Sequence, residues 1–193
     1  LSSEYLTIMI YMILNEVKAD VVVNGEFEQQ DFTIAANAKA FAILSDNIYT
    51  NKVRAVIRES ACNAHDAHVD AGNADQPFDM HLPTQFEPWY SIRDYGVSMD
   101  HETCMDLYST YFHSSKTESN KFIGCLGIGS KSPLCLVDSF TVTTYLNGTK
   151  RSYTVCKSAE GCPKIILLGE VETDEENGLE ISMEVDNSSR RHE

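Results

Sequence analysis

Residues 51–71 carry the strongest helical pattern in the chain. Within it, Arg58-Glu59-Ser60-Ala61-Cys62-Asn63-Ala64-His65-Asp66-Ala67-His68 constrains the fold most. Positions three and four apart share one face of a helix. Glu59, Asn63 and Asp66 therefore line up as one polar stripe of carboxylate, carboxamide and carboxylate. Ala55, Val56, Ala61, Cys62 and Ala67 give the same helix apolar surface with which to pack on a core. A packed helix that carries a ladder of metal-capable oxygens suggests a site. The plainer alternative is a solvated polar face.

Two later segments favour the site. Residues 91–100, Ser-Ile-Arg-Asp-Tyr-Gly-Val-Ser-Met-Asp, read as the end of a strand running into a Gly-containing turn. Residues 124–132, Gly-Cys-Leu-Gly-Ile-Gly-Ser-Lys-Ser, form a second Gly-rich turn that is expected to open a helix. Free backbone N–H groups at a helix start attract anions. Glycines let that backbone approach a phosphate closely.

At 193 residues the chain is long enough for one domain with a core that needs no staples. Its six cysteines, at 62, 104, 125, 135, 156 and 162, show no Cys-x2-Cys spacing. They read as reduced, half-buried thiols. His65 and His68 are three apart; the choice there lies between surface polarity and a shared metal. The formal net charge of −14 argues against a dedicated nucleic-acid surface, which is normally basic. It also opposes a phosphate-bearing ligand, so binding one would need a cation and local N–H groups. Glu170, Glu172, Asp174, Glu175 and Glu176 read as an acidic, solvated connection between strands. Residues 5–14 are mostly apolar but too few to cross a bilayer, which takes about 20. They lack the marks of a signal peptide. Residues 1–19 are read as an N-terminal arm that packs on a partner or as an added or upstream extension, with Met12 an alternative start.

Apolar periodicity and turn residues give the element order. Strands are expected at 20–24 and 31–35 around Asn24-Gly25, and a short helix at 38–45 with Phe41 and Leu44 inward. The long helix follows and ends near Gly72. Strands at 78–82 and 89–93 pair around a Pro-containing turn. A helix capped by Asp100 runs over 100–110, and a further helix over 126–137 with Pro133 in its first turn. Strands at 140–146, 151–157, 164–171 and 179–185 complete the chain as a meander, with an Asn147-Gly148 turn after the first. Helices first and antiparallel strands last make an α+β two-layer sandwich with a mixed, mainly antiparallel sheet.

Glu59-x3-Asn63-x2-Asp66, then Asp94-x-Gly96, then Gly124-x2-Gly127-x-Gly129, in this order, resembles the GHKL ATPases. That superfamily groups DNA gyrase, the large heat-shock chaperones, histidine kinases and MutL. Each motif alone is weak, and the ordered set is specific. The chain is most similar to the rIIA-type proteins of T-even-like phages. That likeness rests on the lead-in at 49–55, Tyr-Thr-Asn-Lys-Val-Arg-Ala, on Tyr111-Phe112-His113-Ser114-Ser115-Lys116 and on the Gly-Ser-Lys-Ser-Pro of 129–133. It covers about residues 30–186.

The resemblance implies the Bergerat fold for residues 20–187, with a tail at 188–193. It implies ATP and Mg²⁺ as ligands, with Asn63 as the metal ligand and Glu59 as the general base for the attacking water. Asp66 would brace the pocket, and Asp94 would accept from the adenine amino group, with Gly96 and Met99 beside it. Gly124, Gly127, Gly129, Ser130 and Lys131 would hold phosphates. Ser115 and Lys116 would lie in a short lid over 100–123. Ser98 stands where the family has a second Gly, and Leu179 where it has a Thr. These departures favour a non-catalytic interaction or dimerisation module, whereas Glu59 with Asn63 favours a slow ATPase that switches partner contacts. The resemblance further implies a homodimer or an rIIB-type partner. It places the protein in the cytoplasm of an infected bacterium, peripheral to the inner membrane, without direct nucleic-acid binding.

Overall fold

Asn51 opens the first described helix. Its side chain accepts from the Arg54 amide at 2.9 Å and fixes the start of α1, Lys52–Asp70. Gly72, at φ +76°, closes it. The Asn73 amide returns to the His68 carbonyl at 2.9 Å and the Gly72 amide to Val69 at 3.1 Å. That pair of bonds is the left-handed stop that a glycine here allows. The computed structural model describes residues 41, 43, 48–110, 128–158 and 162–185. These belong to one unit, Ala35–Glu193. The hairpin expected at 20–35, the arm at 1–19 and the tail at 188–193 lie outside the described residues. So do residues 111–127, with Ser115, Lys116, Gly124 and Gly127. Of the helix expected at 38–45, the described residues Phe41 and Ile43 are helical.

Strands β1 (Asp79–His81) and β2 (Trp89–Arg93) pair antiparallel around residues 82–88. Asp100 accepts from the Thr103 amide at 2.8 Å and caps α2, His101–Ser109. The segment expected as a helix over 126–137 is instead a 3₁₀ helix, Gly129–Cys135, with Pro133 inside it. Proline has no N–H to continue an α ladder, and the tighter winding tolerates it. Strands β3 (Ser139–Leu146), β4 (Thr149–Lys157), β5 (Pro163–Glu172) and β6 (Gly178–Glu184) follow. Asn147 and Gly148, at φ 51° and 78°, make the two-residue turn between β3 and β4.

All described pairings are antiparallel, so the expected parallel component is absent among the described residues. The closing strands are also no simple meander. The order is β1-β2-β6-β3-β4-β5. After β5 the chain returns across the sheet, and β6 inserts between β2 and β3 as the fourth strand of a Greek key. In that place Ile181 and Met183 gain neighbours on both sides.

One face of the sheet carries Tyr90, Ile92, Phe140, Val142, Tyr153, Val155, Ile181 and Met183. Against them pack Val56 and Ala64 of α1, Cys104 and Tyr108 of α2, and Leu134 and Cys135 of the 3₁₀ helix. Each large side chain wholly buried here contributes about 1.5–3 kcal/mol. The opposite face is mostly polar over its central strands, with Ile166 and Val171 exposed on β5. Ser91, Ser182, Thr141 and Thr154 form one register row across four strands, each half-buried. The fold is thus α+β, with the described helices on one face of a six-stranded antiparallel sheet.

Candidate functional site

The polar stripe of α1 faces inward by degrees. Glu59 is 18% exposed, Asn63 is half-buried and Asp66 is fully buried. Behind the stripe, the Ser60 hydroxyl meets the Val56 carbonyl and the Tyr90 hydroxyl, each at 2.7 Å, and pins the helix to β2. Glu59 is held from two directions. Arg58 donates to Oε1 at 2.6 Å, while Oε2 lies against Gly129, where any Cβ would overlap it. Residue 129 must therefore be Gly if the carboxylate is to stay where it is. Cys62 lies between Glu59 and Asp66; burial raises its thiol pKa and the two carboxylates raise it further. It is a poor nucleophile for that reason. Cys104 and Cys135 are fully buried rather than half-buried, and burial alone pushes the Cys104 thiol up to about 12.

The 3₁₀ helix contributes buried polar groups. Ser130 Oγ and Ser132 Oγ are buried and have no hydrogen-bond partner among the described residues. Lys131, between them, is 3% exposed rather than a surface lysine, and desolvation lowers it to about 8. The expected anion site at a full helix start is weakened, because the 3₁₀ segment is short and Ile128 gives it no side-chain cap.

At the other end of α1 sits the Asp94 turn. Asp94 follows β2 on the helix-facing side of the sheet and is 5% exposed. Its Oδ1 accepts from the amides of Gly96 at 3.1 Å and Leu179 at 3.2 Å. Its own amide donates to the Leu179 carbonyl at 2.9 Å. Among the described residues no hydrogen-bond donor reaches Oδ2. Burial pushes the carboxyl up to about 6, against the pull of those two amides and of Arg93.

Gly96 lies so close to α1 that a Cβ would overlap the backbone of Ala67 and His68. The Val97 amide donates to the Ala67 carbonyl at 3.1 Å. Ser98, in place of a second glycine, turns its hydroxyl to the Gly178 carbonyl at 2.7 Å. Leu179 offers no hydroxyl but holds Asp94 through its backbone. Gly178, at φ +142°, leaves no room for a Cβ against Asp94 and Arg93. Met99 is half-buried and packs on the core.

Two residues of this region have roles that their spacing does not show. Arg93 is 9% exposed, with its guanidinium over Tyr145 at 4.0 Å and Tyr95 at 4.8 Å. It donates to the carbonyls of Asp94 and Glu176 and so ties the acidic connection to the turn. His68 is 1% exposed and bonded through both ring nitrogens, whereas His65 is exposed. The two do not share a metal. A signal for His68 was its place one turn from Ala64, on the buried side of α1.

No protein-family model matches the chain, and no curated protein matches it. Among the described residues, no three His, Cys, Asp or Glu side chains converge as an all-protein metal cage would need. No described helix is long and apolar enough to cross a membrane. An open cleft of about 680 Å³ lies beyond the Asp94 turn, lined in part by Tyr95, Asp79, Asp174, Glu175 and Glu176. Its carboxylates repel phosphate, and it includes none of Glu59, Asn63, Asp94 or Gly129.

Proposed function

We propose that this chain is a GHKL-type ATPase domain of the rIIA-like kind, binding Mg-ATP along α1 and hydrolysing it slowly. One observation carries the reading. A single helix presents Glu59 against the Gly129 backbone and Asn63 one turn on, and its last turn holds Tyr95 and Val97 of the turn that carries the buried Asp94. A nucleotide laid along such a helix would meet an acceptor for its base at one end and a carboxylate for its water at the other.

The residues fit the implied ligands. Ser130 and Ser132 offer buried hydroxyls without partners among the described residues, beside Gly129 and suited to phosphate oxygens. Asn63 is half-buried and makes no hydrogen bond among the described residues, so its carbonyl is available to a hard cation. Mg²⁺, when bound, would draw the phosphate charge together and offset the negative field of the chain. Glu59 would take the proton of the attacking water. Arg58 restrains its carboxylate. Asp94 would accept from the adenine amino group, which guanine lacks at that position.

The non-catalytic module remains the second reading, favoured by Leu179, which supplies backbone but no hydroxyl beside Asp94. A thermal-shift titration with Mg-ATP tests the common ground: a ligand at 100 times its Kd stabilises a fold by about 2.7 kcal/mol. Glu59→Ala then separates the two readings. We expect it to bind Mg-ATP as tightly as the parent while turnover falls about 10²–10⁴-fold. Parent-like turnover in that variant removes Glu59 as base; binding without turnover in the parent favours the module.

A further inference from the structure

His68 bridges two backbones that flank the Asp94 turn. The Tyr95 amide donates to its Nε2 at 2.8 Å. An amide N–H cannot accept, so Nε2 carries the lone pair and the proton sits on Nδ1. Nδ1–H then donates to the Gln76 carbonyl at 2.8 Å. Phe78 meets the ring edge-on, with centroids 6.3 Å apart. The imidazole is thus held as one neutral tautomer with no freedom to turn. Neighbouring bonds complete the fastening: Val97 to Ala67, and Gly96 to the Asp94 carboxylate.

We infer that His68 is a positioning residue for purine selectivity. By accepting from the Tyr95 amide it sets the pose of the turn, and hence the direction in which Asp94 Oδ2 points. The inference rests on the reading of Asp94 as the adenine acceptor. The Tyr95 amide follows Asp94 directly, so losing its acceptor turns the peptide that carries the carboxylate. Oδ1 stays on two amides while the free oxygen swings away from the base. A neutral imidazole alone joins an N–H and a C=O across this span. Asn reproduces its Nδ1 donor and Gln its Nε2 acceptor, which lets the two bonds be removed separately.

The test compares Mg-ATP with Mg-ITP, which carries the same phosphates but an oxygen in place of the amino group. Affinities are measured by calorimetry on the full chain, its His68→Asn and His68→Gln variants. We expect the parent to prefer ATP, His68→Asn to lose about tenfold of that preference, and His68→Gln to keep most of it. A preference for ATP retained in His68→Asn overturns the role of His68 and leaves the nucleotide reading standing. A parent that binds neither nucleotide overturns the nucleotide reading and this role with it. Should His68→Asn not fold, the ¹⁵N spectrum of the parent's imidazole decides: protonation on Nδ1 supports the role, and protonation on Nε2 overturns it.

Discussion

At the scale of single residues, Asp94 shows how a site opposes stability. Its carboxyl is buried, and desolvation outweighs the two amides and Arg93, raising its pKa from 3.8 to about 6. The folded chain therefore holds this proton more tightly than the unfolded chain. Asp94's contribution to stability is greatest when both forms are protonated, falls as pH rises from about 4 to about 6, and then levels off. The ionised group costs about 3 kcal/mol above that window. Asp94→Asn keeps an acceptor for the two amides and carries no charge. We expect it to be more stable than the parent in urea at pH 7, with the gap shrinking as pH falls below about 6 and closing only below about pH 4. It should also bind Mg-ATP more weakly by about 1–3 kcal/mol, because an amide N–H can then face the adenine amino group. A variant less stable than the parent at pH 7 contradicts the buried-charge account. Parent-like ATP binding places the base elsewhere.

At the scale of elements, α1 and the turn after β2 act as one part. The sequence marks the stop of α1 at Gly72, and the structure adds Asn51 as its cap. Sequence alone does not show that Gly96 is required by the helix rather than by its own turn. Its φ is ordinary; what forbids a side chain is the backbone of Ala67 and His68. Neither partner can yield without breaking the Val97 and Tyr95 hydrogen bonds. Gly96→Ala should lower stability by about 1–3 kcal/mol, and more if the helix end frays, as read by urea unfolding. The same variant should weaken Mg-ATP binding. By contrast Gly72→Ala meets open space, so only its positive φ opposes it, at about 1 kcal/mol. Equal effects at the two glycines would mean that the turn does not rest on α1.

At the scale of the whole molecule, the placement of β6 organises the sheet. Ile181 is 3% exposed in the middle of it, whereas Val171 on β5, an edge strand among the described residues, is 59% exposed. Ile181→Ala should cost about 2–5 kcal/mol and Val171→Ala no more than about 0.5, measured by the same unfolding series. Similar losses at both positions would argue against the strand order. The order itself is where the sequence stops. Alternation at 179–185 predicts a strand, because every second residue is apolar and side chains alternate across a pleat. Nothing local tells that strand whether to lie beside β5 or to cross to β2 and β3, since both choices bury the same face. Long-range packing decides it. Likewise the stripe Glu59, Asn63 and Asp66, the Asp94-x-Gly96 turn, the stop of α1 and the cap of α2 follow from spacing and local hydrogen bonding, which a sequence records directly. The burial of Lys131, the stacking of Arg93 between Tyr95 and Tyr145, the pKa of Asp94 and the two bonds of His68 arise between segments distant along the chain. Only the tertiary structure brings those groups together, because desolvation and contact depend on what the fold places next to a residue.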